Sequence, residues 1–145
     1  MEMRRKELAV TDPAKIDAII QGCDCIRLAF ADGTHPYIVP LSFGYVREGD
    51  TAKFYFHGAA NGRKVDLSRT LKTDPKACDF SFAYESVVGE GSITELTTRE
   101  EKAAGLAVIM AHYSGRTDWD FPEGVLDRTC VFCLTVTEIS GRAHG

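Results

Sequence analysis

At 145 residues with 44% hydrophobic composition, the chain is long enough for one domain, residues 1–145, with a core of its own. Seventeen basic against 21 acidic residues give a net charge of -4, which excludes the broad positive field needed to hold nucleic acid or an anionic membrane. Any anion site must therefore be local, and an odd count of five cysteines with no export signal favours reduced thiols in a cytoplasmic protein.

The opening Met1-Glu2-Met3-Arg4-Arg5-Lys6 is basic, but Glu7 follows and the apolar run Leu8-Ala9-Val10 stops at Thr11, so it reads as neither a signal peptide nor a membrane span. Asp12-Pro13 resembles a helix start, and Ile16, Ile19 and Ile20 form one apolar stripe before Gly22. Cys25 to Ala31 and Tyr37 to Tyr45 read as strands joined through Asp32-Gly33, a dipeptide suited to tight hairpins. Pro36 and Pro40 complicate the second strand. A proline at position 40 cannot donate to a sheet ladder, so Pro40-Leu41-Ser42 should lie at an edge, at a bulge, or where a ligand replaces a neighbouring strand.

After a turn at Arg47-Glu48-Gly49-Asp50, Lys53 to Phe56 makes a third strand that runs into His57-Gly58-Ala59-Ala60-Asn61-Gly62-Arg63-Lys64. A glycine-bearing turn that places Arg63 and Lys64 at a helix start suits a phosphate, because backbone N–H groups and the helix dipole favour an anion there. The same spacing also suits two solvated residues of a first helical turn. A helix over Lys64 to Leu71 stops at Asp74-Pro75, Ala77 to Tyr84 alternates with a period of two, and Ser86 to Leu96 continues as a strand. Gly89 and Gly91 within that strand predict a bulge or a close backbone approach.

Thr98-Arg99-Glu100-Glu101 fits a capping box, and Ala103, Leu106, Ala107, Met110 and Tyr113 follow at helical spacing until Gly115. Arg116 to Gly124 is a polar loop with the chain's only tryptophan, Trp119, and Cys130 to Ile139 is the last strand. Cys130 and Cys133 are three apart in that strand, so their thiols should point to opposite faces and not share a metal; Cys23-Asp24-Cys25 lacks a second ligand pair. About six strands with a few short helices and no repeat or linker point to a mainly β, small antiparallel barrel.

Three segments together resemble the pyridoxamine 5'-phosphate oxidase-like flavoproteins, in particular the branch related to 5-nitroimidazole-resistance proteins. They are Pro36 to Tyr45, Phe54-Tyr55-Phe56-His57 through Gly62-Arg63-Lys64, and Tyr84-Glu85-Ser86-Val87-Val88-Gly89-Glu90-Gly91. Met3-Arg4-Arg5-Lys6 and Ile139-Ser140-Gly141-Arg142 also look like this branch, so the likeness spans nearly the whole chain. The resemblance implies a six-stranded split β-barrel that forms a homodimer, with FMN in each of two grooves between subunits. It implies that Gly62, Arg63 and Lys64 hold the FMN phosphate with Ser86 and the backbone near Val87. It implies too that Val39-Pro40-Leu41-Ser42 lines the isoalloxazine, that His57 sits near flavin or substrate as the catalytic candidate, and that Trp119 or Phe121 covers the ring from the partner subunit.

His57 also suits a barrel rim, Ser86 an ordinary turn hydroxyl, and Trp119 a packing anchor. A flavin needs a clamped phosphate, a buried ring and a few polar groups, and the three segments supply cations, an apolar strand and hydroxyls. The expected function is an FMN-dependent oxidoreductase acting on a small oxidised molecule, with a nitroaromatic such as a 5-nitroimidazole as one case. A flavin- or haem-binding protein without turnover is the alternative. The sequence up to Gly145 carries no long basic C-terminal segment of the kind that binds pyridoxal phosphate in the true oxidases, which disfavours that substrate.

Overall fold

Asp12 and Pro13 start the first helix as their spacing predicts. In the computed structural model, which describes residues 4–30, 37–59 and 84–144, a short 3-10 turn (Lys6–Leu8) and a two-residue strand β1 (Ala9–Val10) precede it. Helix α1 (Pro13–Gln21) has Asp12 as its cap, accepting from the Ala14 N–H at 3.1 Å, and buries Ile16, Ile19 and Ile20 before Gly22. The turn at Asp32-Gly33, Pro36, the segment with Gly62, Arg63 and Lys64, the helix over 64–71, Cys78 and the strand from Ala77 as far as residue 83 lie outside the described residues.

Strands β2 (Ile26–Phe30) and β3 (Tyr37–Leu41) pair antiparallel as a ribbon of their own, with Ile26 opposite Leu41 and Phe30 opposite Tyr37. The single strand expected over Tyr37 to Tyr45 is two strands. β3 ends at Leu41, and β4 (Gly44–Glu48) belongs to the larger sheet. The break occurs where Phe43 turns its ring fully into the core and Gly44 passes against a helix with no room for a Cβ. β4 returns through Gly49, at φ 61°, into β5 (Thr51–Ala59).

The larger sheet is five-stranded and antiparallel, in the order β1-β7-β5-β4, with β6 (Tyr84–Leu96) along the other edge of β7 (Thr129–His144). The fold is thus mainly β, a curled antiparallel sheet with few helices, and the described residues contain seven strands where about six were expected. The glycines of β6 do mark an irregularity. Glu90 faces Glu138 but Gly91 faces Val136, so Thr137 is the extra residue of a bulge, and its hydroxyl donates to the Glu90 carbonyl at 3.2 Å. A Cβ on Gly91 would lie 2.3 Å from the Thr135 carbonyl oxygen, which explains the glycine.

Helix α2 (Arg99–Ser114) has the expected capping box at Thr98 and Glu101, and ends on Gly115 in the left-handed conformation. A short helix α3 (Glu123–Arg128), not foreseen in the sequence, follows the Trp119 loop and buries Leu126. Two apolar clusters fill the fold. The inner one joins α1 to Leu28, Phe30, Phe43, Phe54, Phe56, Cys130, Phe132 and Leu134; the second lies under α2 and α3 and contains Leu106, Ile109, Leu126 and Val131. Cys130 therefore faces the inner core, while Cys133 sits on the opposite face, opposite Tyr55. Burial pushes the Cys133 thiol up, which keeps it protonated rather than nucleophilic.

Asp17 pins α1 to β4. Its carboxylate accepts from the Tyr45 hydroxyl at 2.5 Å and from Arg47 Nε and Nη2 at 2.8 and 2.7 Å. The Arg47 bond holds the Asp17 carboxyl below its ordinary 3.8, against an opposing push from burial, while burial and then the Asp17 bond push Tyr45 up to about 12. A lowered carboxyl contributes stability that is present above its ordinary value and is lost as pH falls through its lower folded value. Tyr45 contributes in the other direction, fully below pH 10 and lost as pH rises towards 12. Asp17→Asn should therefore cost about 1–2 kcal/mol in urea unfolding at neutral pH. The deficit should shrink as pH drops below 3.8; a deficit that stays constant in acid would show that the carboxylate charge is not its source.

Candidate functional site

The β2–β3 ribbon forms the most distinctive surface. Alternation along β3 turns Tyr37, Val39 and Leu41 onto the inner core and leaves Ile38, 57% exposed, and Pro40 facing outward, with exposed Ser42 just beyond the strand. Among the described residues β3 pairs with β2 alone, so its second edge carries no strand. That is where a proline fits: the Pro40 nitrogen has no hydrogen to offer, and no ladder on that edge needs one. Of the four residues expected to line a ring, Pro40 and Ser42 lie outward, whereas the side chains of Val39 and Leu41 are committed to the core. Ile38 was missed in the sequence, although a period of two from Pro40 would have found it.

His57 is exposed near the end of β5, opposite Val131, three residues before the segment that leads to Gly62, Arg63 and Lys64. Ser86, half-buried, and Val87, packed on the inner core, lie near the start of β6 opposite Arg142 and Gly141. His57 and Ser86 thus face opposite ends of β7. At about 3.3 Å per residue their separation along that strand is on the order of 35 Å, so one small ligand touches both only by following the curl of the sheet or by lying between two chains.

Trp119 is half-buried beside the end of α2, and its indole N–H donates to Ser114 Oγ at 3.1 Å. The Arg116 guanidinium lies 4.2 Å from its ring centroid and is also bonded to Asp118, so one face of the indole is already covered. Phe121 packs instead against the cluster under α2 and α3. Tyr113, expected in the apolar stripe of α2, is 46% exposed and spends its hydroxyl on backbone groups: it donates to the Asp24 carbonyl at 2.6 Å and accepts from the Phe43 N–H at 3.1 Å.

The described residues contain no group of three or more His, Cys, Asp or Glu able to hold a metal, and no helix long and apolar enough to cross a membrane. The outward ribbon face offers apolar contact, one hydroxyl and the exposed cation of Arg27, which stands opposite Pro40. It contains no paired carboxylates or nucleophile, so any chemistry performed against it must be brought by a bound group.

A family model for pyridoxamine 5'-phosphate oxidase matches residues 12–143. The chain belongs to the pyridoxamine 5'-phosphate oxidase family. Solved structures share its fold. A candidate 5-nitroimidazole antibiotic resistance protein from Bacteroides thetaiotaomicron is 23% identical with a TM-score of 0.77, over 92% of this chain and 85% of that one. A FAD-binding protein from Mesorhizobium loti is 22% identical with a TM-score of 0.67, over 93% and 96%. A FAD and heme binding protein from Mycobacterium smegmatis is 18% identical with a TM-score of 0.73, over 94% and 74%. No curated protein sequence matches the chain. The matched span of the pyridoxamine 5'-phosphate oxidase family takes in the ribbon, His57, the segment with Arg63 and Lys64, and the start of β6.

Proposed function

We propose that this member of the pyridoxamine 5'-phosphate oxidase family binds FMN and works as an oxidoreductase on a small oxidised molecule, a nitroaromatic being one candidate. The observation that carries the reading is the outward face of β3, where Ile38, Pro40 and Ser42 form an apolar wall with one hydroxyl beside an open strand edge. That wall fits a flat ring. A bound flavin supplies the hydride and electron chemistry that the described side chains lack. The chain's own work is then to bind, to orient and, at His57, to move a proton.

In this reading Arg63 and Lys64, with Gly62 allowing a close backbone approach, clamp the phosphate, and Ser86 with the Val87 backbone supplies further donors. Flavin-binding neighbours of the same fold support the cofactor class, and the separation of His57 from Ser86 along β7 favours a groove completed by a second copy. In this reading Trp119, on the loop after α2, covers the ring in a partner's groove. Purified protein tests the whole reading: bound FMN that NADH or NADPH bleaches, and that an acceptor re-oxidises over many turnovers, is the expected result.

The second reading, a flavin- or haem-binding protein without turnover, is favoured by the likeness to the FAD and heme binding protein. A haem spectrum, or bound flavin that no nicotinamide reduces, would select it. His57 separates the two more finely. His57 is exposed near the end of β5, and in this reading it faces the substrate, so His57→Ala should retain FMN with little change in affinity while turnover falls about 100-fold, the upper range for one lost proton-transfer group being higher still. Full activity in that variant removes His57 from the reaction.

A further inference from the structure

We propose that Tyr113, backed by His112, is the positioning residue of the ribbon wall: its hydroxyl fixes the open end of the β2–β3 ribbon and so sets how Ile38, Pro40 and Ser42 meet the flavin. This rests on the flavin reading above. Within the described residues the ribbon pairs only with itself, so no ladder of backbone hydrogen bonds ties it to the five-stranded sheet. Its pose depends on inward side chains such as Leu28, Phe30, Val39 and Leu41, and on whatever holds its ends.

At the end where Ile26 faces Leu41, the chain enters through Cys23 and Asp24 and leaves through Ser42 and Phe43. The Tyr113 hydroxyl bridges both strands' connections. Its single hydrogen goes to the Asp24 carbonyl at 2.6 Å and its lone pair takes the Phe43 N–H at 3.1 Å. His112 adds a parallel hold: Nε2 lies 2.6 Å from the Cys23 carbonyl, an acceptor only, so that nitrogen carries the hydrogen. The His112 ring also lies 4.3 Å from the buried Phe43 ring and meets the Tyr113 ring edge-on at 4.8 Å.

Because the Tyr113 ring is 46% exposed, little core packing depends on it. The end of α2 is fixed independently by Gly115 in the left-handed cap, and the turn before it by the tight crossing of Gly44 over Val108 and Ile109. Removing the hydroxyl alone should leave helix and core in place and let the ribbon pivot. Ser42 is the neighbour of Phe43, so a pivot there moves the wall itself.

Tyr113→Phe keeps the ring and deletes both bonds. Measured with FMN by fluorescence quenching and by hydrogen exchange, it should bind FMN about tenfold more weakly, roughly one neutral hydrogen bond in preorganisation. Exchange should rise in peptides covering Ile26–Phe30 and Tyr37–Leu41 and stay unchanged in β5 and β7. Unchanged ribbon exchange, a uniform rise across all strands, or faster ribbon exchange with unaltered FMN affinity would each overturn the proposal. Failure of the parent protein to bind FMN would instead overturn the flavin reading, and ribbon exchange alone would then decide whether the clasp exists.

Discussion

Replacing Arg63 and Lys64 together by alanine is expected to weaken FMN by two to four orders of magnitude. A phosphate dianion accepts charge-assisted hydrogen bonds from a guanidinium fork and an ammonium, each worth about 1.5–3 kcal/mol, and tenfold in affinity corresponds to about 1.4 kcal/mol. The net charge of -4 makes the effect specific, since the rest of the chain offers a phosphate no general attraction. Arg116→Ala provides the control. That guanidinium is exposed, pairs with Asp118 and stacks on Trp119, so its loss should leave FMN affinity within a few-fold. Riboflavin, which has no phosphate, should bind parent and double variant alike. A double variant that binds FMN as tightly as the parent would remove the clamp.

Gly44→Ala is expected to be the most damaging single methyl in the described fold. A Cβ at this position would stand 2.4 Å from the Ile109 nitrogen and 2.5 Å from the Val108 carbonyl carbon. Both are α2 backbone atoms, which cannot rotate away as a side chain would, so β4 and α2 must separate. Overpacking a core costs about 1–3 kcal/mol and occasionally more, and the backbone clash places this case at about 3 kcal/mol, roughly 10 °C in melting temperature. Gly49→Ala offers the contrast: its φ of 61° is strained for alanine but nothing lies within 4 Å, so it should cost about 1 kcal/mol. Equal losses in the two variants would mean that the crossing is looser than it stands here. Because Gly44 begins the strand that follows the ribbon, Gly44→Ala should also lower FMN affinity beyond what its stability loss explains.

Much of the fold was legible because local signals and burial agree. Asp12-Pro13, the Thr98–Glu101 box and Gly115 mark helix ends by chemistry that acts within a few residues, and they sit where the sequence places them. The split of the strand over Tyr37 to Tyr45 was not legible, because Phe43 and Gly44 turn there for the sake of α2, some 65 residues downstream. The bulge was half visible: Gly91 announces the close approach, but the extra residue is Thr137 on the facing strand, whose partner only the register reveals. Helix α3 is too short for its periodicity to show.

The site was legible in part. Pro40 signals an open edge by its missing donor, and the structure provides one among the described residues. Composition could not say which of Val39, Pro40, Leu41 and Ser42 face outward; alternation anchored on the buried Leu28 and Phe30 does. Tyr113 carried no signal at all. At helical spacing it reads as one more apolar residue, and only the fold brings Asp24 and Phe43 to its hydroxyl.

The central claim is that this chain is a flavin protein whose ring site is the outward face of β3. Titration of the purified, flavin-free chain with FMN, followed by quenching of FMN fluorescence, tests it most directly when run beside Pro40→Glu. That change sets a carboxylate in the middle of the proposed wall, opposite Arg27 of β2, while leaving the inward side chains untouched. Saturable, equimolar quenching in the parent and at least tenfold weaker binding in Pro40→Glu is the predicted result. No saturable quenching in the parent, or equal affinity in both, would contradict it.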